Sequence, residues 1–166
     1  MKNTIKVFVL VALTLAAMSV SAQVKLGHIE TQKLIQAMPE WTAAQKTFEE
    51  EQKKVNTELN SLREQFQTKL AEYSEKMKTY SEAMRATTEE ELQGLQQRIQ
   101  RFQETAMAQL EKTQNDLMQP VMEKALNAIK EVGKENGFTY IFDMNAGILY
   151  AAENSQDVLP LGKKKL

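Results

Sequence analysis

MRATTEEEL, residues Met84 to Leu92, joins two long segments that both carry apolar residues at heptad spacing, and it holds neither Gly nor Pro. Read as continuous helix, it makes the chain a rod. Read as a turn, it folds the two segments into a hairpin. Thr88-x-x-Glu91 fits a capping box, in which hydroxyl and carboxylate reciprocally satisfy backbone N–H groups at a helix start. Thr87 is an alternative N-cap. Met84, Thr88 and Leu92 equally continue one seam at a spacing of four. The local pattern leaves both readings open, and the flanks decide between them.

On the N-terminal side, Trp41, Ala44, Phe48, Val55, Leu59, Leu62, Phe66, Leu70, Tyr73, Met77, Tyr80 and Met84 recur at gaps of three and four, with one gap of seven. Glu, Gln, Lys, Thr and Ser fill most positions between them. This is a narrow seam on a polar helix, not the broad face of a globular-core helix. The successive steps of four from Leu62 to Phe66 to Leu70 form a stutter that locally unwinds a supercoil. On the C-terminal side the pattern resumes through Leu92, Leu95, Ile99, Phe102, Ala106, Leu110, Leu117, Val121, Ala125, Ile129 and Val132. Pro39 suits the first turn of the first segment, where its missing N–H costs nothing. Gly137 stands where a positive φ would end the second. Pro120 removes a bond to the Asp116 carbonyl and predicts a kink. The two segments have almost the same length, so in a hairpin the facing residues have numbers summing to about 175, with Tyr73 meeting Phe102.

Short elements lie at both ends of the chain. QVKLGHI (Gln23–Ile29) alternates as a strand, with Val24, Leu26 and His28 on one face and Lys25, Gly27 and Ile29 on the other. Thr31 is placed to cap a brief helix, TQKLIQAM. FTYIFDM and ILYAA read as two strands of a hairpin around Asn145-Ala146-Gly147. Asp157 caps a last helical turn before Lys163-Lys164-Lys165. A rod would hold the first strand on the order of 140 Å from the others, and neither group could build a core alone. The expected fold is therefore mainly α with a small β body: a long antiparallel helical hairpin, residues 40–136 with its tip near 86–89, on a body of residues 23–39 and 137–166.

Lys2 and Lys6, the apolar run Val7–Ala17 interrupted only by Thr14, and Val20-Ser21-Ala22 read as a cleaved signal peptide, residues 1–22. The eleven residues Val7–Ala17 are well short of the roughly 20 that span a bilayer. Of 21 basic and 22 acidic residues, cleavage removes two lysines and no acid, leaving 19 against 22 and a formal charge of −3. That balance offers no basis for nucleic-acid binding. With no cysteine, an exported chain relies on packing or assembly instead of disulfides. His28 is the single histidine and lacks companions for a zinc site. Asp143-Met144-Asn145 reads as a turn and not a calcium loop. No GxSxG, HExxH, CxxC or glycine-rich phosphate loop is present, so no enzyme class, cofactor or metal is expected. The tail lysines cover a helix C-terminus or make a weak contact with anionic lipid.

VKLGHIETQKLIQAMPE (Val24–Glu40), KENGFTYIFDMNAG (Lys134–Gly147) and Asp157-Val158, in this order around a long polar helix pair, resemble the Skp (OmpH-like) periplasmic chaperones. The resemblance covers the whole mature chain, with its specificity in those end segments. It implies a periplasmic homotrimer in which strands of three chains form the body and three hairpins hang from it as tentacles around a cavity. It implies further that the cavity holds unfolded outer-membrane β-barrel proteins without ATP and delivers them toward the outer membrane. Two departures stand out. The best-known members are strongly basic, whereas residues 75–101 here carry five basic and five acidic side chains, and DVLPLGKKKL is shorter than the last helix common in relatives.

Within that frame the soft apolar residues are the candidate client-binding set: Tyr73, Met77, Tyr80 and Met84 on the first helix, and Phe102, Met107, Met118 and Met122 on the second. Methionine is flexible and polarizable, and tyrosine pairs an apolar face with a polar tip. Seam residues among them equally serve hairpin packing alone, whereas Met107, Met118 and Met122 stand beside the seam. Leu26, Ile29, Ile141 and Phe142 are the expected trimer interface. The competing reading is a structural coiled coil, a spacer or scaffold of the cell envelope without clients.

Overall fold

The computed structural model describes residues 24–166; the expected signal peptide lies outside the described residues. Elements follow in the order β1 (Leu26–Ile29), α1 (Thr31–Gln36), α2 (Pro39–Lys76), α3 (Glu82–Glu135), β2 (Tyr140–Asp143), β3 (Gln156–Asp157) and α4 (Leu159–Lys163). The two long helices fold back on each other, so the chain is a hairpin, but its tip is not where the capping box points.

Helix α2 ends at Lys76, whose carbonyl accepts from both the backbone N–H and the hydroxyl of Thr79, at 2.8 and 2.7 Å. Ser81 then takes an extended conformation, φ −62° and ψ 160°, and its hydroxyl accepts from the Met84 N–H at 3.3 Å to open α3. Glu82 follows in the first turn, where a negative charge meets the positive helix end. The turn is thus residues 77–81, and the expected tip at 86–89 lies inside α3. The hydroxyls of Thr87 and Thr88 donate to the carbonyls of Ala83 and Met84, at 3.0 and 2.8 Å. A threonine can satisfy itself this way in mid-helix, so Thr88-x-x-Glu91 does not start one. The two positions separate cleanly by mutation. Ser81→Ala should cost about 1 kcal/mol and Thr88→Ala less than about 0.5 kcal/mol, read from urea unfolding followed by helical circular dichroism.

Moving the turn moves the register. Tyr73 pairs with Glu89, Lys69 with Glu91 and Glu40 with Lys124, so facing numbers sum to 160–164 instead of about 175. Leu62 then lies level with Ile99, and Val55 with Ala106. The helices are unequal, 38 residues against 54. The excess at the C-terminal end of α3 enters the body, where Val121, Ala125 and Val132 join Ile29, Leu34, Ile35, Met38, Ala44 and Val158 in one buried cluster. Pro120 sits inside α3, which continues through it to Glu135.

The body is also arranged differently from the expected hairpin of strands. β1 is the central strand, with β2 on one side and β3 on the other, and both neighbours are parallel to it. The register is Leu26↔Tyr140 through Ile29↔Asp143 on one edge and Gly27↔Gln156, His28↔Asp157 on the other. ILYAA forms no strand. The turn after β2 is built on Asp143, whose side chain accepts from the Asn145 N–H at 3.0 Å while its carbonyl accepts from Ala146 at 3.0 Å. Gly147, at φ +86°, then takes a conformation that side chains disfavour. The chain crosses to the far edge of β1 before pairing again. Asp143 also accepts from the Thr31 N–H at 3.4 Å. Thr31 is consequently the first residue of α1 and not its cap.

Alternation along the strands sorts their side chains. Ile29 faces inward and is buried, and Gly27 lies so close to Phe138 and Val158 that an added Cβ would meet them at 2.8 and 3.0 Å. Gly137, at φ +67°, ends α3 as expected: the Asn136 side chain donates to the Val132 carbonyl at 2.8 Å and the Phe138 N–H to Gly133 at 3.0 Å. Lys25 fixes the exit, donating to the Asn136 carbonyl at 2.7 Å with its ammonium 4.3 Å from the centroid of the Phe138 ring. At the C-terminus, Asp157 accepts from the Leu159 N–H at 2.9 Å and starts α4, which lays Gly162 against Leu34.

Candidate client-binding surface

The seam of the hairpin is thin. On α2 only Ala44 and Leu62 are fully buried; Phe48, Val55, Leu59, Phe66 and Tyr73 are half-buried and Leu70 is exposed. On α3 the buried residues cluster toward the root, with only Leu92 and Ala106 in the distal part. A bundle core would bury such residues on several sides; here each has a single partner helix, so much of its apolar area stays in reach of solvent and of any third surface.

Three clefts lie along the hairpin, and two of them, at the tip and at the root, gather candidate residues. At the tip, Tyr73, Tyr80 and Met84 line a cleft of about 370 Å³. The two tyrosine rings lie 6.3 Å apart between centroids, and Tyr73 donates its hydroxyl to Glu89 across the hairpin. That bond is the main reason the Tyr73 phenol is held above its usual pKa. Met77, on the other side of the turn, is exposed. Midway along, Lys69, Glu72, Glu91, Gly94 and Arg98 help line an open gap between the helices of about 750 Å³. At the root, Met118 and Met122 line a groove of about 560 Å³ with Trp41, Ile35, Leu126 and Ile129. Phe102 is half-buried and aligned with the seam, and Met107 stands apart, 75% exposed. The eight expected residues therefore form no single patch; they mark a tip, a root and two points between.

The expected association residues divide in the same way. Leu26 and Phe142 are exposed on the outer face of the sheet, beside Val24 and Tyr140. Tyr140 and Phe142 stack at 6.1 Å between centroids. Ile29 is 1% exposed and belongs to the chain's own core, and Ile141 packs against that core. The inward phase of the alternation buries Ile29 and turns Ile141, half-buried, away from the outer face toward the root groove. Leu149 and Tyr150, read from sequence as strand residues, are 99% and 81% exposed. The apolar run Ile148-Leu149-Tyr150 was the available signal in the sequence.

Charge shapes the root more than the tip. Lys124 reaches across the helices to Glu40 and, as hydrogen-bond donor first, holds its carboxyl below the ordinary 4.5. The contribution of this pair is complete above pH 4.5 and is lost as pH falls through the lowered folded value. Glu40→Gln should therefore show a constant stability difference from wild type at neutral pH that shrinks on acidification below about pH 4.5, measured by urea titrations at several pH values. In the tail, Lys165 bonds Glu135 at 2.6 Å and approaches Glu131 at 4.0 Å. That bond to Glu135 chiefly raises its pKa, so this lysine is committed to α3. Among the described residues no cluster of His, Asp or Glu is arranged to hold a metal ion, and no helix is long and apolar enough to cross a membrane.

The family model for outer membrane protein (OmpH-like) matches residues 25–166, taking in the body and both long helices. This chain belongs to the OmpH-like family. The match begins at Lys25, one residue before β1, and runs to the last residue. The OmpH-like proteins are a family of periplasmic chaperones, with outer-membrane proteins as their theme. No curated protein matches the chain.

Proposed function

We propose that this OmpH-like protein is an ATP-independent periplasmic holdase that binds unfolded outer-membrane β-barrel proteins between its helical hairpins, prevents their aggregation and delivers them toward the outer membrane. The observation that carries the reading is the family match spanning hairpin and body together. The geometry supports it in two ways. A hairpin about 57 Å long, closed by a thin seam, can bend and splay to suit clients of different size. Its apolar residues, Tyr73, Met77, Tyr80 and Met84 near the tip, Phe102 and Met107 along α3, and Met118 and Met122 at the root, offer many weak contacts. Spread over several arms, such contacts give avidity without a rigid pocket.

Several arms require association, and the body supplies a surface for it. Val24, Leu26, Tyr140 and Phe142 make one sheet face apolar and exposed, and Leu149 and Tyr150 extend the exposed apolar set. The free edge of β2 is open to a further strand. The reading places these residues, in a homotrimer, against the neighbouring copies. Lys163 and Lys164 remain for a weak contact with anionic lipid.

The test is direct. Purified protein without residues 1–22 is mixed with an unfolded outer-membrane β-barrel protein at one trimer per client, and light scattering is followed after dilution from urea. Aggregation should be suppressed without nucleotide. Scattering that rises at the unassisted rate overturns the reading and favours the alternative, a client-free coiled-coil spacer of the envelope.

A further inference from the structure

The chain has nine methionines and no cysteine, so its readily oxidised sulfur is all thioether. Its described methionines are not alike. Met38 is 1% exposed in the core of the body, whereas Met77 and Met84 are 43% and 56% exposed and Met107 is 75% exposed. Met77 is the C-cap of α2 and Met84 lies in the opening turn of α3, so these two flank the tip on opposite arms. All three lie on the hairpin, away from the buried cluster that holds the body together.

We infer that Met77, Met84 and Met107 are a reversible oxidation site through which peroxide loosens the protein's hold on its clients, an inference that rests on the chaperone reading above. The sulfur lone pair attacks one oxygen of hydrogen peroxide. The O–O bond breaks, the leaving hydroxide collects the proton, and the products are one methionine sulfoxide and one water. Sulfur loses two electrons and the peroxide gains them. Two thiols restore the thioether through a sulfoxide reductase, giving a disulfide and water. The change is chemically large for the contact it alters: a flexible, polarizable apolar tip becomes a polar S=O group. It is structurally small for the fold, because none of the three side chains belongs to the body core. The hairpin therefore keeps its shape while its surface loses the property that suits an unfolded apolar segment.

The experiment uses hydrogen peroxide on the protein without residues 1–22, followed by peptide mass spectrometry and by affinity measurement with a fluorescent unfolded β-barrel protein. Met77, Met84 and Met107 should gain oxygen at least about tenfold faster than Met38, and helical circular dichroism should be unchanged. Affinity should fall by about fivefold and return after reductase treatment. In the variant M77L/M84L/M107L, measured against its own untreated affinity, most of the peroxide effect should be gone, leaving only what Met118 and Met122 in the root groove contribute. Equal affinity of oxidised and unoxidised wild type, or an equal loss in the leucine variant, overturns the switch while leaving the holdase reading intact. Untreated protein that captures no client overturns both.

Discussion

Gly27→Val should abolish the folded body. The glycine lies on the central strand with the Phe138 ring and a Val158 methyl at 2.8 to 3.0 Å from where a Cβ would stand, and both neighbours are held. Val158 is fully buried, and Phe138 is fixed by the Lys25 ammonium over its ring and by the backbone bond to Gly133. A branched side chain must push one of them away, which separates β1 from the segment after α3 or from β3. Overpacking of this kind typically costs about 1–3 kcal/mol or more, a large share of what a body of some 47 residues can supply. The expected result is a protein whose α2 and α3 still give a helical spectrum but whose thermal transition is shallow and early. Gly133→Ala is the control: an added Cβ there meets only Ile141, at an ordinary 3.5 Å, so it should leave the transition nearly in place.

The second large effect is on assembly. Replacing Leu149 and Tyr150 together by Asp should convert the proposed trimer to monomers, seen as a threefold lower mass by light scattering. Both side chains are almost wholly exposed in the single chain, so the substitution removes no contact within it, and monomer stability should be unchanged. In an interface it would bury two carboxylates without partners, at a cost of several kcal/mol. A double variant that keeps the wild-type mass would remove this segment from the association surface. Phe142→Asp then tests the sheet face separately, since Phe142 is exposed beside Tyr140 on its outer side.

Much of the architecture is legible in the sequence because its signals are local. Pro39 at the first position of α2 and Gly137 after α3 act through their own backbone, and the heptad seams announce two helices whatever their register. The inward and outward faces of β1 follow from simple alternation: Ile29 is buried and Leu26 is exposed. What escapes the sequence depends on residues far apart. Thr31 looks like a cap, but Asp143 caps α1 from a strand 112 residues away. The parallel pairing of Gln156 and Asp157 with β1 leaves no trace in a two-residue polar segment, whereas ILYAA, rich in strand formers, forms no strand and pairs with none among the described residues. The position of the tip departs from the capping signal for a different reason. Thr88 and Glu91 have the better capping chemistry on paper, yet Ser81 with only a hydroxyl to offer starts the helix, because the lengths of both arms and the root contacts decide where the chain must turn. The candidate surface was legible as residue types and not as a patch, since exposure depends on which side of a shifted seam each methionine falls.

The central position of β1 has a consequence for timing. The first strand to leave the ribosome is paired on both edges by strands from the last 27 residues of the chain, so it must wait, unpaired, until nearly everything else has been made. Contacts this remote in sequence are slow to form. The packing of α2 on α3 is what carries the tail back to within reach of the head. A chain that stopped before Gln156 would keep its arms but leave β1 with one open edge. The proposed periplasmic role requires export as an unfolded thread, and a body that cannot close until Gln156 and Asp157 arrive is compatible with it.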